Sequence, residues 1–133
     1  MRRRAAGAPS TTRTGALAEA VGAEFLGGRG LHLVTRNFRC RCGEIDLVMM
    51  DGPELVIVEV RYRASASLVD PALTITAPKR RRLLQSAQRY LQEQPRFADH
   101  PMRFDVLSIS GPLQAPRCTW YRGAFSADDA GHR

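Results

Sequence analysis

Asp46 and Glu59 are the two residues whose types and spacing could do chemistry together. They lie in two hydrophobic runs, Gly43-Glu44-Ile45-Asp46-Leu47-Val48 and Leu55-Val56-Ile57-Val58-Glu59-Val60-Arg61, divided by Asp51-Gly52-Pro53-Glu54. Val, Ile and Leu on both sides of a Gly-Pro pair predict a β-hairpin. Gly at the first central position accepts the positive φ of a type II′ turn, and the fixed φ of Pro matches the next position. With Gly52 and Pro53 as the loop, Asp51 faces Glu54, Asp46 faces Glu59 and Glu44 faces Arg61. Opposed side chains on one face have Cβ atoms about 4.5–5.5 Å apart. Two carboxylates that close repel each other, and among apolar strands they are costly unless a cation lies between them. A hard divalent ion such as Mg²⁺ (or Mn²⁺) takes oxygen ligands and keeps several waters. A basic side chain is the other neutraliser, and Arg61 is two residues from Glu59 on the same strand face. A solvated acidic face would need neither, and a one-residue bulge would part the carboxylates. The spacing alone leaves these alternatives open.

Asp46 followed by Glu59-Val60-Arg61 at the end of a hydrophobic strand resembles the PD-(D/E)XK nuclease signature, with Arg in place of Lys. A wider set is more specific. Gly15 with Glu19, Asn37 with Arg39, the run from Gly43 to Leu47, and Val58-Glu59-Val60-Arg61-Tyr62-Arg63 together resemble the YraN family of small bacterial proteins, regarded as endonuclease-like. The likeness covers the chain from Thr14 to Phe125. It implies a restriction-endonuclease-like fold in which Glu19 approaches the carboxylates. Taken without it, Glu19 reads as a surface residue near the positive end of a helix. The chemistry implied is metal-dependent phosphodiester cleavage. Asp46 and Glu59 would hold the metal, Glu19 would complete the shell or orient water, and Arg61 would stabilise the charged transition state. Arg effectively keeps its proton, so in the Lys position it serves charge stabilisation and not acid–base work.

The chain has 133 residues, 44% hydrophobic and 25% charged, which suits one soluble globular domain with a real core. No apolar run approaches the roughly 20 residues that span a bilayer. The arginines at the N-terminus precede no hydrophobic stretch of the secretory kind, so no membrane partner and a cytoplasmic location are expected. Net charge is +7, concentrated in residues 1–14 (four Arg, no acid) and 79–96 (six basic residues against Glu93). Two basic segments around a near-neutral body form an electrostatic footprint for nucleic acid, with DNA the expected partner. Nineteen of the twenty basic residues are Arg, a bias that explains the choice of Arg and not its clustering. Cys40, Cys42 and Cys118 are odd in number, and Cys40-x-Cys42 lacks the second pair of a zinc site, so free thiols are expected.

The elements that must position these residues follow from the pattern. Residues 1–12 read as a basic, disordered arm, residues 13–125 as the domain and residues 126–133 as a disordered tail. A helix is expected from Thr14 to Gly27, with Leu17, Ala20, Val21, Glu24, Phe25 and Gly28 on one face and Glu19 beside it. Gly27, Gly28 and Gly30 end it, and Leu31 to Asn37 makes a strand. Asn37 to Arg41 reads as a polar, basic connection, with Arg39 able to reach phosphate and Phe38 expected in the core. After the hairpin, Ala64 to Thr76 is the candidate for a loop over the site. Thr76 caps a second helix running to Gln94, with Leu83, Leu84, Ala87, Tyr90 and Leu91 as its buried stripe. Lys79, Arg80, Arg81 and Arg82 fill its first turn, where the dipole disfavours cations. That conflict points to phosphate contact, to which Arg63 would add. Arg103 to Ile109 and Arg117 to Tyr121 complete the strands, with Trp120 near the edge of the core. The order α-β-β-β-α-β-β implies an α/β mixed sheet covered by helices. Two functions are consistent with it: a divalent-metal-dependent endonuclease on structured or single-stranded DNA, or a noncatalytic nucleic-acid-binding or adaptor protein that retains the fold.

Overall fold

The computed structural model describes residues 9–64 and 75–126. They form α1 (Pro9–Gly27), β1 (His32–Cys40), β2 (Gly43–Asp51), β3 (Glu54–Arg63), α2 (Ala77–Glu93), a 3-10 turn at Pro95–Phe97, β4 (Met102–Ser110) and β5 (Arg117–Phe125). One mixed sheet in the order β1-β2-β3-β4-β5 results, antiparallel throughout except at β3–β4. The parallel pair arises because α2 lies in the crossover between its strands. A mixed sheet flanked by helices is compatible with the restriction-endonuclease-like architecture expected. Most of the expected basic arm, most of the loop after β3 and the last seven residues lie outside the described residues. Among the described residues, no helix is long and apolar enough to cross a membrane.

Each sheet face carries its own core. Ile45, Val48, Leu55, Ile57, Phe104 and Val106 pack with Leu83, Ala87 and Tyr90 of α2, while Leu47, Met49, Val56, Val58, Leu107 and Ile109 pack with Leu26 of α1. The buried stripe of α2 is the one expected, and Thr76 caps the helix by accepting the Lys79 N–H at 3.3 Å. The face of α1 is so only in part. Val21 and Phe25 pack against the core as expected, but Ala18, Gly22 and Leu26 are the buried residues, while Leu17 is 51% exposed and Ala20, Glu24 and Gly28 are also exposed. The contact face is turned toward Ala18 and Gly22, small residues that let the helix lie close to the sheet. A Cβ built on Gly22 would lie 3.0 Å from Leu107 Cδ2 and 3.6 Å from Leu47 and Val60. Gly22→Val should therefore cost about 1–3 kcal/mol by overpacking. The test is a urea midpoint, and an unchanged midpoint would mean that α1 is free to lift.

Strand ends also run further than the pattern suggested. β1 extends to Cys40, so the polar run from Asn37 is an edge strand, where polar side chains meet solvent and no outer neighbour is required. On β4, across from Val58, Asp105, 1% exposed, organises a charged network. Its carboxylate accepts from Arg103 Nε at 3.0 Å, Trp120 Nε1 at 2.8 Å and the Gly123 N–H at 2.9 Å. Arg103 also reaches Glu54 at 2.8 Å and Asp51 at 2.9 Å, the acids on either side of the hairpin turn. The turn is thereby tied to β4. Gly52 at φ +60 followed by Pro53 agrees with the expected type II′ geometry.

Candidate active site

The hairpin register is the one read from the sequence. Pairs run from Asp51↔Glu54 to Leu47↔Val58, which sets Asp46 and Glu59 at the next rung. That rung is not a backbone pair. Asp46 Oδ2 instead accepts the Val60 N–H at 2.8 Å, so a side chain takes a hydrogen bond where strands part.

A local break in alternation places Asp46 there. Ile45 packs on the α2 side and Leu47 on the α1 side although they are two residues apart. The same change occurs in β1, where Arg36 reaches the Ala16 carbonyl of α1 at 3.0 Å and the Phe38 ring meets Tyr90 of α2 at 5.1 Å. Between Arg36 and Phe38 lies Asn37 at φ +57, a backbone state that Asn tolerates better than most residues. Regular strands would put i and i+2 on one face, so the positive φ supplies the twist that exposes Asp46 to both layers. Glu19 of α1 lies near enough to Asp46, and Asp46 to Glu59, for each charge to act on the next. The three acids come from three elements and form a row.

Their protonation is perturbed. Burial, then the Glu59 charge, pushes Asp46 from its ordinary 3.8 up to about 7, against the pull of the Val60 N–H. Burial, then the Asp46 charge, raises Glu19 from 4.5 to about 7, with Arg36 opposing. Glu59, 6% exposed, is also raised by burial, offset by Lys79 and Arg61. Lys79 Nζ lies 3.6 Å and Arg61 Nη1 3.7 Å from the same Glu59 Oε2.

The remaining basic residues divide. Arg61 was a candidate partner for Glu44 across the hairpin, but it turns to Glu59 while Glu44 lies 3.6 Å from Arg39. Lys79, read as a phosphate contact, is a member of the acidic site itself, and Glu59 answers its conflict with the helix dipole. Arg80 donates from Nη1 to the Ile75 carbonyl at 2.6 Å, and its Nε is buried. Arg39, Arg63 and Arg82 are exposed, and Arg81 is half-buried. An open cleft of about 330 Å³ runs along Glu59, Val60, Arg61, Tyr62 and Arg63. It connects the acids with the exposed end of β3.

The donor set suits a hard divalent cation. Among the described residues, no group of three or more His, Cys, Asp or Glu side chains is placed to hold a metal ion. Mg²⁺ can be held by one or two carboxylates, with waters and phosphate oxygens completing its shell. Asp46 and Glu59 are the two carboxylates that could serve in this way.

The family profile described as "Uncharacterised protein family UPF0102" matches residues 18–109. A UPF0102 protein of Pseudomonas putida (strain GB-1) is 44% identical over 119 residues, covering 89% of this chain and 97% of the relative. One from Stutzerimonas stutzeri (strain A1501) is 43% identical over 114 residues, 86% of this chain and 95% of its own length. One from Nitrosococcus oceani is 42% identical over 121 residues, 90% and 98% respectively.

Proposed function

The chain belongs to the UPF0102 (YraN) family, and from that premise we propose that it is a divalent-metal-dependent endonuclease acting on structured or single-stranded DNA. One observation carries the proposal: Asp46 and Glu59 meet at the open end of a hairpin, with Lys79 and Arg61 on the outer oxygen of Glu59. A bound Mg²⁺ would supply Lewis-acid polarisation of the phosphate and a more acidic water. Asp46 and Glu59 hold it, and the Val60 N–H fixes the Asp46 carboxylate in place. Arg61 stabilises the negative oxygens that develop at phosphorus.

Lys79 adds what Arg61 lacks. It is the one lysine among twenty basic residues, and it lies at the acid pair. An ammonium can donate a proton far more readily than a guanidinium, so Lys79 is the group able to protonate the leaving oxygen. Lys79→Met is expected to lower single-turnover cleavage on the order of a hundredfold. Lys79→Arg separates the roles: rescue would assign charge alone, and continued loss assigns proton transfer. Exposed Arg39, Arg63 and Arg82, with the half-buried Arg81, hold the backbone, and each Arg→Ala should reduce the salt slope of DNA binding by about 1.

The noncatalytic reading has one observation in its favour: Lys79 and Arg61 already neutralise Glu59 without a metal. Purified protein on branched, flapped and single-stranded DNA, with Mg²⁺ or Mn²⁺ and with chelator, decides between them. Cleavage that appears only with the metal supports the nuclease. Salt-dependent binding without cleavage supports the adaptor.

A further inference from the structure

The turn between β1 and β2 holds a second reactive cluster, separate from the acids. Cys40 closes β1, Cys42 stands in the turn, and their sulfurs are 3.0 Å apart. Both are free thiols and half-buried. Ser86 of α2, wholly buried, places its hydroxyl 3.6 Å from the Cys40 sulfur and 4.0 Å from that of Cys42. Gly43 is what allows this approach, since a Cβ there would lie 3.1 Å from the Ser86 hydroxyl. Cys40 donates to the Ser86 hydroxyl, which donates to Cys42. The pair is therefore built: two sulfurs in contact beside one buried hydroxyl.

We propose that Cys40 and Cys42 form a two-electron oxidation site for hydroperoxides, with Cys40 as the attacking sulfur and Cys42 as the resolving one. The Cys40 thiolate attacks one peroxide oxygen. An S–O bond forms, the O–O bond breaks, and the departing oxygen takes a proton to leave as water or an alcohol. The Cys42 sulfur then attacks Cys40. The S–S bond forms, the S–O bond breaks, and the hydroxyl leaves with the proton of the Cys42 thiol as water. Two thiols are oxidised by two electrons in all, and one hydroperoxide is reduced by two. The sulfurs close from 3.0 Å to about 2.05 Å, a movement within reach of a short turn on an edge strand. Electrostatics agree with the order. Burial raises the Cys40 thiol, but hydrogen bonding with Cys42, Ser86 and the backbone at Cys42 and Gly43 outweighs it and lowers the group below the usual thiol range. Cys42 is raised, chiefly by its hydrogen bond with Cys40. A thiol of depressed pKa beside a second thiol is the arrangement of redox-reactive cysteines.

Cys118 is the internal reference, a half-buried thiol raised by burial. Reduced full-length protein treated with one equivalent of hydrogen peroxide should lose two of its three free thiols and two hydrogen atoms of mass, reversibly with dithiothreitol. Peptide mapping should place the bond between Cys40 and Cys42. Cys42→Ser should stop at a sulfenic acid on Cys40 that dimedone traps, and Cys40→Ser should slow thiol loss at least about tenfold. Ser86→Ala, which keeps both sulfurs, should slow it several-fold. If Cys40 and Cys42 disappear no faster than Cys118, or only intermolecular disulfides form, the proposal is overturned. The outcome is independent of whether the protein cleaves DNA.

Discussion

Asp46→Asn and Glu59→Gln are each expected to lower metal-dependent cleavage on the order of a thousandfold, about 4 kcal/mol of transition-state stabilisation. Either change removes a charged oxygen from the metal's two protein ligands while keeping the side chain's shape. Asp46→Asn carries a second signature that a merely structural acid would not show. The folded protein keeps a proton on Asp46 up to about pH 7, whereas the unfolded chain releases it near the ordinary 3.8. Between those values the folded state binds more protons, so stability falls as pH rises through the window and is lowest above it. The sign is opposite to that of a salt-bridged carboxylate. Asn cannot ionise, still accepts the Val60 N–H and can donate to Glu59. Asp46→Asn should therefore be more stable than the parent at pH 8, on the order of 1–3 kcal/mol, and close to it at pH 4. Mg²⁺ at pH 8 should raise the melting temperature of the parent and leave that of Asp46→Asn nearly unchanged. An Asp46→Asn protein that cleaves normally, or that is less stable at pH 8, would sink the metal assignment.

The second large effect concerns stability alone. Asp105→Ala should cost about 3–5 kcal/mol, the loss typical when one partner of a buried charge network is removed. Trp120 Nε1 and the Gly123 N–H lose their acceptor, and Arg103, only 14% exposed, keeps two of its three acids. Domains of this size have about 5–15 kcal/mol in total, so the variant should unfold at much lower urea. Arg122→Ala supplies the contrast. It removes an exposed pair with Asp51 and should cost about 1 kcal/mol or less. Equal midpoints for the two variants would show that the network is not the clamp on the hairpin.

Much of the site was legible because local chemistry determined it. The Gly-Pro pair fixed the hairpin register, and the register placed Asp46 beside Glu59. The hydrophobic stripe of α2 and its Thr76 cap were equally local. What failed depended on small residues and on distant partners. Periodicity weights large side chains, so it overlooked Ala18 and Gly22 as the contact face of α1; their small-xxx-small spacing was the available signal. The membership of Lys79 in the acid cluster required α2 to be docked, since twenty residues separate it from Glu59. Arg61 stood beside Glu59 in sequence and drew the attention instead. Asn37 was noted for family likeness, yet its positive φ and the change of faces around it appear only in the folded strand pair. The Asp105 network offered no motif, as its members come from β2, β3, β4 and β5.

The acids of the site belong to the sheet and to α1, whereas Lys79 rides on the first turn of α2, two turns ahead of the point where Ser86 nests against Gly43. That seat acts as a detent for the whole helix. A side chain at position 43 would pry α2 outward and withdraw an ammonium from Glu59 without altering any acid. The charge balance of the site is in this sense adjustable by a rigid rod, and the smallest residue of the β1–β2 turn holds its setting.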